Sequence, residues 1–305
     1  MPIFLILVLA LSVLMPHSAQ SSEPPLSLVI IDTGFDTSIP TIQSASIHEA
    51  CILDWSMCPN GDSKQEGPGS ASIQSSSLTI NGLSHGTQMA SIALDANPQI
   101  KLVLLKLIAY NSRGQRLPVY DSSINKAFRW ILENESKFNV GAVAMAQGHH
   151  SLLSGKNYCP RNIELEKMIT ELKILGIPVF FPAGNSGDKS RIDWPACIPA
   201  AYSIGALDKE GSIASYSNYD RNLNDFYVLG NAQALLPGGA KTNATGTSVS
   251  TLIAASHWMQ IAYNRPELSA TSIHQLFRSS GPIIFDSQFR YGRKMDLESA
   301  LRALL

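Results

Sequence analysis

Apolar residues along the chain gather into segments of two kinds. Ser27–Asp32 (SLVIID) is a short unbroken apolar run that ends in a carboxylate, with a glycine two residues on. A run this short and continuous predicts a strand buried on both faces, one that delivers its last residue to the carboxyl edge of a sheet. Residues 101–109, 141–146, 177–181 and 201–207 repeat the pattern. Between these runs lie longer stretches with helical spacing. Residues 122–137 place Ile124, Phe128, Ile131 and Leu132 on one face, and 162–175 do the same with Leu165, Met168, Ile169 and Leu172. Residues 85–94 are compatible with a helix. Residues 248–263 are mostly apolar all round, which predicts a central, buried helix, and 269–279 and 295–304 read as terminal helices. Residues 63–77 are rich in Ser and Gly and predict a loop. Strands alternating with helices imply an α/β protein whose parallel sheet is covered on both faces. No repeat and no Pro/Gly-rich linker divides it, so residues 25–305 are expected to form one domain.

Composition narrows the classes of partner. The 305 residues carry a formal net charge of −1, with 45% hydrophobic and 15% charged residues and no basic run. Nothing there would attract nucleic acid or an anionic membrane. The first Lys or Arg is Lys64, and residues 3–14 are almost wholly apolar. A bilayer span takes about 20 residues. The run is therefore read as a signal peptide over residues 1–21, cleaved after Ala19 or Ser21, although it lacks a basic n-region. A secreted or periplasmic monomer, with no stable membrane association after cleavage, is expected. Cys51, Cys58, Cys159 and Cys197 then favour disulfides. Three pairings are open, and no C-x-x-C suggests a metal.

Four residues at strand ends or helix starts carry candidate chemistry. Asp32 opens Asp-Thr-Gly and could orient a histidine, although a turn Asp before Gly is common. His85 opens His-Gly-Thr and suits a general base, since an unperturbed imidazole is largely neutral near pH 7. Ser248, in Gly-Thr-Ser-Val-Ser, starts the apolar helix, where free N–H groups and the positive dipole end favour a developing oxyanion; a plain N-cap at Ser248 or Thr247 would use the same residues. Asn185, in Ala-Gly-Asn-Ser-Gly, offers a side-chain amide donor or a simple turn.

In that order and with those strings, the chain resembles the subtilisin-like (subtilase) family of serine peptidases from about residue 28 to 303. Ala201-Tyr-Ser-Ile-Gly-Ala, Ser215-Tyr-Ser-Asn and Tyr291-Gly-Arg-Lys-Met-Asp are similar to further family segments. The resemblance implies a three-layer α/β/α fold with a mostly parallel, twisted sheet of about seven strands. It implies a secreted serine endopeptidase acting on polypeptides, with Asp32, His85 and Ser248 as the triad and Asn185 in the oxyanion hole. It also implies that substrate pairs with the strand ending near Ala146, Gln147 and Gly148, and that these residues with Ala183 and Gly184 wall the pocket for the residue before the cut. His149 and His150 follow as solvated loop residues. Cys159 and Cys197 resemble a pair found in some secreted relatives, which would leave Cys51 to close a small loop with Cys58.

The chain departs from the family pattern in places. Thr251 stands where many relatives have Pro, with little expected consequence, and Pro182 replaces a small residue beside the pocket. Residues 95–98 are too short to supply the six to eight oxygens of the family's tight calcium site. No cofactor is expected; a calcium site elsewhere stays open and none is identified. No prodomain is visible between the signal peptide and the first strand, so folding is expected either to need none or to draw on one from elsewhere. Two rival readings differ in kind. An α/β-hydrolase esterase would need Gly-x-Ser-x-Gly and the order Ser, acid, His, which this chain lacks. A catalytically silent binding or scaffold protein on the same fold would keep the architecture without the activity.

Overall fold

The computed structural model describes residues 25–73, 81–148, 159–286, 288 and 290–305. The expected signal peptide, His149 and His150 lie outside the described residues.

Eight strands form the main sheet. In chain order they are β1 (Ser27–Asp32), β2 (Ser46–Ile52), β3 (Lys64–Glu66), β4 (Lys101–Lys106), β5 (Val140–Met145), β6 (Val179–Pro182), β7 (Tyr202–Leu207) and β8 (Phe226–Leu229). Their spatial order is β3-β2-β4-β1-β5-β6-β7-β8. All pairings are parallel except that of β3, which runs antiparallel to β2 at the edge. The order reverses beside β1, which lies between β4 and β5. In an open parallel sheet such a switch point is where a crevice forms at the carboxyl ends, and Asp32 is the last residue of β1.

Alternation along β1 feeds both layers of the core. Leu28 and Ile30 pack with α2 (His85–Ala96) and α5 (Thr247–Asn264). Val29 and Ile31 pack with α3 (Asp121–Asn134) and α4 (Ile163–Ile174) on the opposite face. Helices α1 (Pro40–Ala45), α6 (Ala270–Ser280) and α7 (Leu297–Arg302) extend the first layer. The three-layer α/β/α architecture thus follows from apolar runs that alternate with helices.

The central helix α5 is buried along most of its length. Its small polar residues are satisfied by backbone: Ser250 Oγ donates to Val228 O (3.0 Å) and Ser256 Oγ to Ala93 O (3.0 Å). Thr251, which stands where many relatives have Pro, is fully buried and donates from Oγ1 to Thr247 O (2.8 Å). A threonine there keeps the helix intact and costs no unpaired hydroxyl.

The sheet has one strand more than the resemblance implied, and the 63–77 segment is not loop throughout. Lys64–Glu66 is exposed edge strand, held by pairing to β2 and not by its own polar sequence. Two antiparallel hairpins, Asn231–Leu235 with Lys241–Thr245 and Ile283–Phe285 with Tyr291–Arg293, also lie outside the pattern: the first is half-exposed and lacks an apolar run, and the apolar strands of the second are only three residues long.

Disulfides join Cys51 to Cys58 and Cys159 to Cys197. The second closes a separation of 38 residues, and by loop-closure entropy its loss should cost roughly 3–4 kcal/mol. Unreduced protein in denaturant should therefore take up no alkylating reagent. Replacing Cys159 and Cys197 by Ser should lower the urea midpoint accordingly; full alkylation without reductant would contradict the pairing.

Candidate active site

Two loop ends interlock to bring Asp32 and His85 together. Thr33 Oγ1 accepts from Gly86 N (3.2 Å), and Thr87 Oγ1 accepts from Asp36 N (2.9 Å). A side chain at Gly86 would overlap the carbonyl oxygen of Gly34, so glycine is required for this approach. The strings Asp-Thr-Gly and His-Gly-Thr thus encode one contact from both sides. They place His85 Nδ1 2.9 Å from each oxygen of Asp32. The Asp32 carboxylate is fully buried, while the His85 side chain keeps 29% exposure. Oδ1 also accepts from Thr33 N (2.7 Å) and from Gln147 Nε2 (3.3 Å). Because Nδ1–H donates to Asp32, the Gln147 amide nitrogen, 2.9 Å from Nδ1, directs its hydrogen to the same carboxylate.

A second interlock builds the opposite wall. Gly246, at φ +147°, is the N-cap of α5, so Thr247 is the first helical residue and Ser248 the second. Neither Thr247 nor Ser248 is the cap that a plain helix start would have used. Asn185 Oδ1 accepts from Thr247 N (2.8 Å) and Thr247 Oγ1 (3.0 Å), and Thr247 Oγ1 in turn accepts from Gly184 N (3.2 Å). With its oxygen engaged this way, Asn185 turns its amide nitrogen into a fixed donor at the amino end of α5. Ser248 Oγ is half-buried and donates to the Ala146 carbonyl (2.9 Å). Among the described residues no hydrogen bond joins it to His85.

One cleft of about 310 Å³ collects these groups. His85, Gln147, Gly148, Gly184, Asn185 and Ser248 line it, with Ala146, Thr247, Pro182, Asp193, Gly82, Gln88 and Tyr110. Ala183 does not reach it; that residue is fully buried, and its carbonyl accepts from Asp193 N (2.7 Å). The sequence therefore located most of the cleft but not Asp193, Tyr110, Gly82, Gln88 or Thr247, which only tertiary packing brings in. Thr247 alone had a local signal, being the residue before the nucleophile candidate.

The arrangement provides a hydroxyl, an imidazole held in one tautomer by a carboxylate, and amide donors at a helix terminus. Burial disfavours protonation of His85, but the charge and hydrogen bond of Asp32 outweigh it, with Arg116 opposing; the ring titrates above its ordinary 6.5. Two consequences have opposite sign. A raised folded-state pKa stabilises the fold below about pH 6.5, and that contribution is lost as pH rises through the raised value. The neutral ring needed for base chemistry is populated only above it. Among the described residues no group of three or more His, Cys, Asp and Glu is placed to hold a metal ion, and no helix is long and apolar enough to cross a membrane.

Known proteins share both sequence and fold. The profile of the Subtilase family matches residues 26–292. Subtilisin amylosacchariticus of Bacillus subtilis subsp. amylosacchariticus is 24% identical over 289 residues, covering 91% of this chain and 65% of its own. Subtilisin BL of Lederbergia lenta is 24% identical over 263 residues, covering 83% of this chain and 90% of its own. The chain thus spans about two thirds of the length of the first relative and most of the second. Among solved structures, a lanthipeptide protease superposes with a TM-score of 0.70 at 17% identity, over 92% of this chain and 88% of the other. A cold-adapted subtilisin-like serine proteinase gives 0.66 at 15%, over 90% and 89%.

Titrating the His85 ring by NMR should give a pKa above 6.5, and Asp32→Asn should move it below 6.5, where burial and Arg116 act unopposed. An unchanged value in the variant would remove Asp32 as the cause.

Proposed function

The chain belongs to the subtilase family, and we propose that it is a secreted serine endopeptidase using Ser248, His85 and Asp32 as nucleophile, general base and orienting carboxylate. The observation that carries the reading is the fully buried Asp32 holding the His85 Nδ1 edge in the same cleft as Ser248 and Asn185.

In this mechanism Ser248 Oγ rotates from the Ala146 carbonyl towards His85 Nε2, loses its proton to that nitrogen, and attacks the peptide carbonyl. The tetrahedral oxyanion takes hydrogen bonds from Asn185 Nδ2 and Ser248 N, aided by the amino end of α5. His85 then gives the proton to the leaving amine, and water repeats the sequence on the acyl-enzyme. Asp32 stabilises the imidazolium without taking the proton. Gln147 shares the Asp32 carboxylate and helps to fix it.

Substrate is bound as an extended chain. Pairing between β5 and β6 stops at Ala144 and Phe180, so the backbone of residues 146–148 runs on past the sheet beside the cleft. A peptide laid there gains main-chain hydrogen bonds with little demand on sequence. The reading includes a signal peptide at residues 1–21, monomeric action on polypeptides and no cofactor. The two disulfides fit an oxidising compartment outside the cytosol.

A silent scaffold would leave Ser248 in its hydrogen bond to Ala146. A fluorophosphonate probe separates the two readings. The wild type should be labelled and Ser248→Ala should not, whereas a folded but unlabelled wild type supports the scaffold. Asn185→Ala should reduce turnover of a peptide substrate by roughly 10²–10³, the loss that follows removal of one such donor from subtilisin; undiminished turnover would exclude Asn185 from the oxyanion hole.

A further inference from the structure

A second cavity, of about 370 Å³, lies beside the amino end of β8 and shares no lining residue with the Ser248 cleft. Asn224 and Asp225, which line it, immediately precede Phe226, the first residue of that strand. The strands from β1 to β8 are parallel, so it opens at the edge of the sheet opposite to Asp32, the last residue of β1. Three arginines converge on it from separate segments. Arg221 comes from the turn before β8, Arg278 from the last turn of α6, and Arg293 from the hairpin of Ile283–Phe285 with Tyr291–Arg293. Ile283 and Tyr291 of the same hairpin give the wall an apolar side.

None of the three arginines is paired with a carboxylate among the described residues. Arg221 Nε donates to Tyr291 Oη (2.8 Å), and its guanidinium carbon lies 5.0 Å from the centre of that ring. Arg293 Nη1 donates to Gly281 O (2.7 Å). Arg278, exposed on α6, makes no side-chain hydrogen bond or ion pair among the described residues. Asp220 and Asp225 also line the cavity, but backbone amides engage them. Asp220 Oδ1 accepts from Asn222 N (2.8 Å) and Leu223 N (3.2 Å), and Asp225 Oδ2 accepts from Ser203 N (2.8 Å). Three guanidinium groups against two carboxylates leave the wall net positive, in a chain whose formal net charge is −1. The bonds that Arg221 and Arg293 already make fix those two heads and leave other nitrogens of each without a partner among the described residues. Such preorganisation lowers the ordering cost of binding an oppositely charged group.

We propose that this cavity binds a tetrahedral phosphate or sulfate group, as the free ion or as a small ester. Guanidinium forks match oxyanions bidentately, and the charge-assisted bonds they form are roughly twice as strong as neutral ones. Three heads that arrive from three directions suit a tetrahedral group, whose oxygens diverge, better than a planar carboxylate with two oxygens. Ile283 and Tyr291 then border the body of an ester. A ligand held only by the folded chain stabilises it, here by tying α6 and the hairpin to the turn before β8. The site stands apart from the Ser248 cleft, so the inference does not depend on the peptidase reading.

Calorimetry in a chloride buffer, with inorganic phosphate, inorganic sulfate, phenyl phosphate and benzoate as probes, reads the claim. At least one phosphate or sulfate probe should bind the wild type with a Kd of about 1 mM or tighter. Arg221→Gln and Arg278→Gln each keep a side chain of similar polarity but remove one charge, and each should weaken that binding about tenfold or more. Arg113→Gln removes an exposed charge outside the cavity and should leave it unchanged. Benzoate should bind at least about tenfold more weakly than phenyl phosphate. Phenyl phosphate tighter than inorganic phosphate identifies an ester as the ligand, and the reverse identifies the free ion; either supports the site. No binding of any phosphate or sulfate probe at about 10 mM overturns the inference. So does binding that Arg221→Gln and Arg278→Gln leave intact, an equal loss in Arg113→Gln, or benzoate that binds as tightly as phenyl phosphate. Both cavity arginines are exposed or make no buried contact that the fold needs, and the wild-type isotherms alone suffice to refute the site.

Discussion

A carboxylate with no access to water has to be satisfied from several directions at once, and Asp32 imposes that condition on the whole carboxyl edge of the sheet. It takes hydrogen bonds from Thr33 N, His85 Nδ1 and Gln147 Nε2. Each donor comes from a different segment: the end of β1, the start of α2 and the backbone beyond β5. Stripping a buried charge of its partner costs about 3–5 kcal/mol, so the three segments are held in one relative position. The interlock of Thr33 with Gly86 and of Thr87 with Asp36 does the same through neutral groups. The Asp32–His85 pair is thereby built by the fold, before any substrate is present.

The other wall repeats the principle with different chemistry. Asn185 is fixed through its oxygen by Thr247, and Thr247 is fixed by Gly184. Asn218 then ties the same loop to Asp193. One chain of hydrogen bonds therefore runs from the amino end of α5 to Asp193 at the cleft wall. The loop that carries Asn185 is thereby held by two side chains from elsewhere in the chain, Thr247 and Asn218.

Much of this was legible from residue order. The β1 run reads as strand because six buried positions in a row leave no polar face, and Asp32 ends it. Helix α3 showed its face through Ile124, Phe128 and Ile131, all of which are buried. The strands that the pattern does not show include β8 (FYVL), a buried apolar run of only four residues, and two edge-side strands that depend on pairing. β2 (SIHEACI) is half exposed over its first residues, and β3 (KQE) carries no apolar side chain at all. In the site, Asp32, His85, Asn185 and Ser248 were visible because each needs particular neighbours: Gly86 for the close approach to Gly34, and Gly246 for the left-handed cap. Asp193 has no such local signature. It reaches the cleft only because the segment after β6 folds back on Ala183. Gln147 was expected on the substrate wall, and its amide lies against the triad carboxylate, a direction that strand position alone does not specify.

On this mechanism the cleft groups are already arranged to receive a tetrahedral oxyanion. The most direct measurement is a crystal structure of the protein after reaction with a small fluorophosphonate. The expected adduct has a phosphorus bonded to Ser248 Oγ, which has left the Ala146 carbonyl, and a phosphoryl oxygen within hydrogen-bond distance of both Asn185 Nδ2 and Ser248 N. An adduct on another residue, or a phosphoryl oxygen directed away from Asn185, would contradict it.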